Sequence, residues 1–192
     1  MGKKTKSGAE FFFDWDRAGE AHHGVEPIFT SDEIIERVEE LAASLHRWFE
    51  EEPVAQVIMN GAMMFAADLT RAMSARGTVM EMDFIQVAKN RRAGTVDLVA
   101  ASNLPVEGRE VLIIDDIYET GNTLAFAHAH FKALGAANIT SVVLLDKSQG
   151  RQTVFKPDFV GFECPDIFVI GYGMDVAYRY RELPFIGKMG RA

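Results

Sequence analysis

The residues best suited to chemistry stand together as Asp115-Asp116-Ile117-Tyr118-Glu119-Thr120-Gly121-Asn122-Thr123. The residues before them, Val111-Leu112-Ile113-Ile114, read as a strand buried on both faces, with two carboxylates at its end. Adjacent carboxylates are costly to bury, so the pair is expected to face solvent, a metal or hydroxyl groups. Vicinal sugar hydroxyls are suitable donors to such a pair. Thr120, Gly121 and Thr123 then precede or open a helix. Helix-start amides, a glycine that permits close approach and two hydroxyls together make a cradle for phosphate. Taken singly, the aspartates are ordinary strand-end residues and Thr120 or Thr123 is an ordinary cap. In this order they favour a site for a ribose and its phosphate.

Two other loops leave strand ends with polar residues, Asn60-Gly61 and Asp146-Lys147. Ligands of open α/β sheets bind at such ends. An apolar strand followed by Asp-Asp also opens phospho-acceptor receiver domains, with Asp146 and Lys147 as superficial partners. A domain of that kind needs roughly 120 residues after its pair, and fewer follow Asp116 here. His22-His23 has no third ligand nearby and reads as two exposed histidines. Cys164 is the single cysteine, which excludes an internal disulfide and a cysteine-based zinc site and favours a reducing compartment. It is expected to be a small core residue.

The elements that must position these loops follow from periodicity. Thr30-Ser31-Asp32-Glu33 fits a capping box, and Ile34, Ile35, Val38, Leu41, Leu45, Trp48 and Phe49 continue at helical spacing to about Glu50. Val54 to Met59 reads as a buried strand, breaking at Asn60-Gly61 into a helix from Ala62 to Met73. Thr78 to Val87 and Val96 to Ala100 read as strands around the basic stretch Lys89-Asn90-Arg91-Arg92-Ala93-Gly94. After Val111 to Ile114 come a helix from about Thr123 to Leu134, stopped by Gly135, and a strand from Ile139 to Leu145. Asp158 to Cys164 and Ile167 to Tyr172 read as two more strands. Strands alternate with helices, so the class is α/β with a largely parallel sheet. Residues 1 to about 26, with Phe11-Phe12-Phe13 and Trp15, read as an N-terminal extension without its own core, followed by a single domain from residue 27.

The whole chain has 192 residues, 48% hydrophobic and 25% charged, with 20 Lys+Arg against 28 Asp+Glu and a formal net charge of -8. That charge argues against binding duplex nucleic acid or anionic membranes. No apolar run approaches the roughly 20 residues of a membrane span. The basic start, Met1 to Ser7, has no apolar run behind it, so no signal peptide is expected and the cytoplasm is the expected location.

Val111 to Thr123 resembles the ribose-phosphate signature of type I phosphoribosyltransferases. Further motifs resemble the 6-oxopurine branch, the hypoxanthine(-guanine) phosphoribosyltransferases. Ile28 to Leu45 is similar to their first helix. Met59-Asn60-Gly61-Ala62 with Phe65-Ala66-Ala67-Asp68-Leu69 is similar to their pyrophosphate loop and next helix. Val143 to Lys147, Val160 to Glu163, Phe168 to Asp175 and Tyr180 to Pro184 resemble the remainder. The resemblance implies a mainly parallel sheet flanked by helices, with a small hood built from the terminal segments. It implies purine salvage: transfer of the phosphoribosyl group of phosphoribosyl pyrophosphate to hypoxanthine or guanine, with Mg²⁺ as cofactor and a homodimer or homotetramer as assembly. Carried over by position, Asp115 and Asp116 hold the ribose hydroxyls, and the run through Glu119 to Thr123 wraps the 5′-phosphate. Asn60, Gly61 and Arg181 meet pyrophosphate; Lys147, Phe168, Val169 and Asp175 meet the purine; and Asp175 also holds the metal. Glu119 and Arg181 are the catalytic candidates.

The sequence departs from the family pattern in three places. Glu119 stands where the family has an aspartate as candidate base, Asn60 where it has a lysine, and Ala88-Lys89-Asn90 where a Ser-Tyr pair closes the mobile loop. Arg91 and Arg92 are the expected replacement cations. The departures support a second hypothesis, a non-catalytic sensor of purine nucleotide or phosphoribosyl pyrophosphate.

Overall fold

The structure is a computed structural model that describes residues 24–90, 95–147 and 155–189. The expected roles of Arg91 and Arg92, and the readings of the N-terminal aromatics and of His22-His23, lie outside the described residues. The elements are β1 (Val25–Phe29), α1 (Ser31–Trp48), β2 (Val54–Met59), α2 (Met63–Ala75), β3 (Glu81–Asn90), β4 (Thr95–Ala100), β5 (Glu110–Tyr118), α3 (Asn122–Ala133), β6 (Asn138–Asp146), β7 (Phe159–Glu163) and β8 (Ile186–Met189). The main sheet has the order β4-β3-β2-β5-β6-β7. Every neighbouring pair in it is parallel except β3–β4.

The α/β class and mainly parallel sheet agree with the sequence reading, and the two sheet faces explain the alternation. Leu112 and Ile114 of β5 join a core with Ile34, Val38 and Leu45 of α1 and Phe65 and Leu69 of α2. Val111 and Ile113 join a second core with Leu124, Ala127 and Phe131 of α3. Side chains of a strand alternate between faces, so β5 feeds both cores and is apolar from Val111 to Ile114. The edge strand β7 is guarded by α1: Arg37 donates through Nε to the Gly161 carbonyl at 2.6 Å and through Nη2 to that of Val160 at 2.9 Å.

Helix α1 begins as its capping box predicts. The Glu33 amide donates to Thr30 Oγ1 at 3.3 Å, and the Thr30 amide donates to Glu33 Oε2 at 2.8 Å. The reading of Ile28 and Phe29 as helical is corrected. Both lie in β1, which pairs antiparallel with β8, because the extended backbone of Thr30 (ψ 164°) separates strand from helix. Phe29 stacks on Phe162 with ring centroids 4.3 Å apart. The β1–β8 ribbon is the hood, and Val25, Ile170, Leu183 and Phe185 form its own small core.

Two further expectations change. Ile167 to Tyr172 is not a strand; one bridge, Ile170 to Gly187, ties it to β8. Positive φ angles at Gly171, Tyr172 and Gly173 turn the chain before a ladder can extend. Strand β5, by contrast, does not stop at Ile114. It stays paired with β6 as far as Tyr118 opposite Asp146, so the carboxylate pair belongs to the strand.

Candidate active site

At the C-terminal ends of β2, β5 and β6 a cleft of about 750 Å³ opens. Asn60, Gly61, every residue from Asp115 to Thr123, Lys147, Phe168, Val169, Asp175 and Arg181 line it. The structure thus brings together every position that the resemblance assigns to substrate or metal, with Arg91 and Arg92 outside the described residues. Tyr118 takes part through its main chain alone: its side chain belongs to the core under α3, and its hydroxyl donates to the Phe155 carbonyl.

Of the surroundings expected for the carboxylate pair, bulk solvent does not hold for Asp115, which lines the cleft but is only 4% exposed. It is buried because β5 continues past it. Burial first, and the neighbouring Asp116 charge second, push its carboxyl well above the usual range, while Lys89 pulls in the opposite direction. Asp116 sits against the Asn60-Gly61 loop so closely that a Cβ on Gly61 would stand 1.7 Å from its Oδ2. Any larger residue at position 61 would have to displace the Asp116 carboxylate. Next along the chain, Gly121 takes φ +82° and caps α3 with no side-chain hydrogen bond to the helix start. The Asn122 amide meets Thr120 Oγ1 at 3.4 Å, and Thr123 is buried on the helix. The first turn of α3 therefore offers its amides to the cleft.

At the other end of the cleft, Lys147 is 7% exposed. Its ammonium lies 3.5 Å from Glu119 and 3.7 Å from Asp166, and its amide donates to the Tyr118 carbonyl at 2.8 Å. Phe168 is the opposite case, a large aromatic left 59% exposed at the cleft mouth. Asp175 pairs with Arg181 at 2.7 Å and accepts from the Tyr178 amide at 2.7 Å. Arg181 also donates to the Gly173 carbonyl at 2.5 Å.

A model of the phosphoribosyl transferase domain matches residues 24–177. The chain belongs to the phosphoribosyltransferase family. It is 42% identical over 171 residues to the hypoxanthine-guanine phosphoribosyltransferase of Bacillus subtilis (strain 168), covering 86% of this chain and 93% of that protein. The enzyme of the same name from Aquifex aeolicus (strain VF5) is 36% identical over 163 residues, covering 82% and 90%. The crystal structure of a hypoxanthine-guanine phosphoribosyltransferase from Bacillus anthracis, with HEPES in its active site, superposes with a TM-score of 0.82. It is 34% identical, covering 86% of this chain and 97% of that one.

This phosphoribosyltransferase contains site features that sequence reasoning missed. Lys89 lines the cleft from β3, with Thr95 and Val96 of β4 beside it. It was the first cation of the basic run, but its reach depends on the β3–β4 pairing, in which it stands opposite Val96. Asp166 was missed because nothing in its spacing ties it to Lys147. Among the described residues, no cluster of three or more His, Cys, Asp or Glu side chains forms a metal cage. Asp175 lines the cleft as a lone carboxylate, a sparse oxygen donor. That suits Mg²⁺, which keeps waters and completes its shell with phosphate oxygens.

Proposed function

We propose that the protein is a purine salvage enzyme that transfers the phosphoribosyl group of phosphoribosyl pyrophosphate to a 6-oxopurine, hypoxanthine or guanine, releasing pyrophosphate. The observation that carries this reading is a cleft lined together by a buried lysine, an exposed aromatic, a carboxylate pair and an open helix start. Lys147 is a donor without an acceptor, so it selects an oxo over an amino group. Phe168 supplies the stacking face and Val169 its main chain. Asp115 and Asp116 accept from the ribose hydroxyls, and the amides of Glu119 to Thr123 hold the 5′-phosphate. Asn60, Gly61 and Arg181 meet the pyrophosphate.

The bond that breaks joins the anomeric carbon to pyrophosphate; the bond that forms joins it to a purine ring nitrogen. Glu119 takes the proton that this nitrogen loses, through a side chain one methylene longer than the family's aspartate. Before substrate arrives, its carboxylate lies against Lys147, so purine binding replaces that partner with the 6-oxo group. Arg181 neutralises charge on the leaving group, and the cleft supplies orientation. Asp175 would hold Mg²⁺, whose chemistry here is neutralisation of pyrophosphate charge.

The same reading takes residues 1–26 as an N-terminal extension, modified by the pairing of Val25 and Glu26 with β8. It takes the chain as a cytoplasmic homodimer or homotetramer; no helix among the described residues is long and apolar enough to cross a membrane. The test is to mix purified protein with Mg²⁺, phosphoribosyl pyrophosphate and hypoxanthine, guanine or xanthine. Nucleotide formation is expected. Saturable nucleotide binding without turnover would establish the sensor instead. Asp175→Ala should depress Mg²⁺-dependent turnover while leaving Tm nearly unchanged; full activity at saturating Mg²⁺ would remove Asp175 from the metal site.

A further inference from the structure

The loop that carries Asp175 leaves the core at Tyr172. The Tyr172 ring is 6% exposed, yet its φ is +47°, a region that bulky side chains rarely adopt. Gly171 at +95° and Gly173 at +99° flank it. This turn brings Gly173 so close to the Asn60-Gly61 loop that a Cβ on Gly173 would stand 2.0 Å from the Gly61 carbonyl oxygen. Behind the loop, the Tyr172 amide donates to Leu183 at 2.8 Å and the Gly173 amide to Arg181 at 2.9 Å. The phenol donates to Asp68 Oδ2 on α2 at 2.6 Å, and the other carboxylate oxygen pairs with Arg71. Helix α2 begins two residues after Gly61. The helix and the loop that leads into it therefore meet the Asp175 loop at two points, Gly61 against Gly173 and Asp68 against the phenol.

We propose that Tyr172 is a positioning residue whose hydrogen bond to Asp68 ties loop 171–175 to α2 and sets the Asp175–Arg181 pair against the pyrophosphate loop. Strained backbone persists where its surroundings over-determine it, and it concentrates where geometry matters for function. Here the surroundings are identifiable: a buried ring, two main-chain bonds on one side and the Asp68 bond on the other. Burial and the bond to Asp68 push the phenol's pKa well above its ordinary value, so it remains a donor. Neither Tyr172 nor Asp68 lines the cleft. Their action on substrate passes through Gly173, Asp175 and Arg181, and the roles of those residues rest on the function proposed above.

Tyr172→Phe keeps the ring and removes only the donor; Asp68→Ala removes the acceptor from a half-exposed site; Asp68→Asn keeps an acceptor. The measurements are amide hydrogen exchange over residues 171–181 in the ligand-free protein and the KM for phosphoribosyl pyrophosphate. Tyr172→Phe and Asp68→Ala are each expected to speed exchange in that segment about tenfold, the scale of one hydrogen bond to a charged group. Exchange in α1 should stay unchanged. The KM should rise by a similar factor with kcat little changed. The double variant should be no worse than either single one, because both remove the same bond. Asp68→Asn should behave as the unsubstituted protein. Unchanged exchange in 171–181, or a lowered Tm with exchange faster everywhere and KM unaltered, would overturn the proposal. If the unsubstituted protein formed no nucleotide, the proposed function would fail, while the exchange comparison would still decide the role of Tyr172.

Discussion

Asp115 shows how the site sets function against stability. Its carboxyl is nearly inaccessible, and burial with the Asp116 charge raises its pKa in the folded chain. The folded protein therefore binds this proton more tightly than the unfolded one, so stability falls as pH rises from the ordinary carboxylate range near 4 through the raised folded value. Asp115→Asn should raise the Tm of the ligand-free protein by a few degrees at pH 8, with the gain shrinking towards pH 4, while phosphoribosyl transfer is lost. A thermal melt series across pH checks the sign; a Tm gain that grew on acidification would contradict it. The aspartate pair and the Thr120-Gly121-Asn122-Thr123 run were legible because neighbours in sequence are neighbours in the site. Lys89 was not, since a hairpin register delivers it. Tyr172 and Asp68 were not, since 104 residues separate the two ends of their bond.

At the scale of elements, the proposed phosphate cradle depends on α3 being held at one height on the sheet. Phe131 is completely buried among Val111, Ile113 and Val143 and is the main anchor of that helix. Phe131→Ala should cost about 3–5 kcal/mol of unfolding free energy, measurable by denaturant titration. A cost below about 1 kcal/mol would mean that α3 is seated by other contacts. Helix α1 was legible through its capping box and its Ile34, Val38, Leu41 and Leu45 spacing. Strand β1 was not, because five residues carry little periodicity and its partner, β8, lies at the far end of the chain. The curl at Gly171 to Gly173 passed for a strand because its residues are apolar. Ile170 serves the hood core, Val169 and Tyr172 serve the main core and the glycines serve the turn, none of which periodicity distinguishes from a ladder.

The whole molecule carries a net charge of -8, yet its proposed substrate is a polyanion. Local geometry must outweigh the global field, through the α3 amides, Arg181 and Lys89. Screening over about 8–10 Å at moderate salt confines the competing surface carboxylates to short range. With Asn60 in place of a lysine, the basic run after Lys89 gains importance, and the Arg91→Ala, Arg92→Ala double variant should raise the KM for phosphoribosyl pyrophosphate several-fold. An unchanged KM would remove those arginines from the site. The central claim is that this phosphoribosyltransferase selects a 6-oxopurine through Lys147. The most direct measurement is nucleotide formation from phosphoribosyl pyrophosphate and Mg²⁺ with hypoxanthine and, in parallel, with adenine, following pyrophosphate release in the same tube. The account predicts inosine monophosphate and pyrophosphate in equal amounts with hypoxanthine and no product with adenine. Comparable turnover of adenine, or no nucleotide from hypoxanthine, would contradict it.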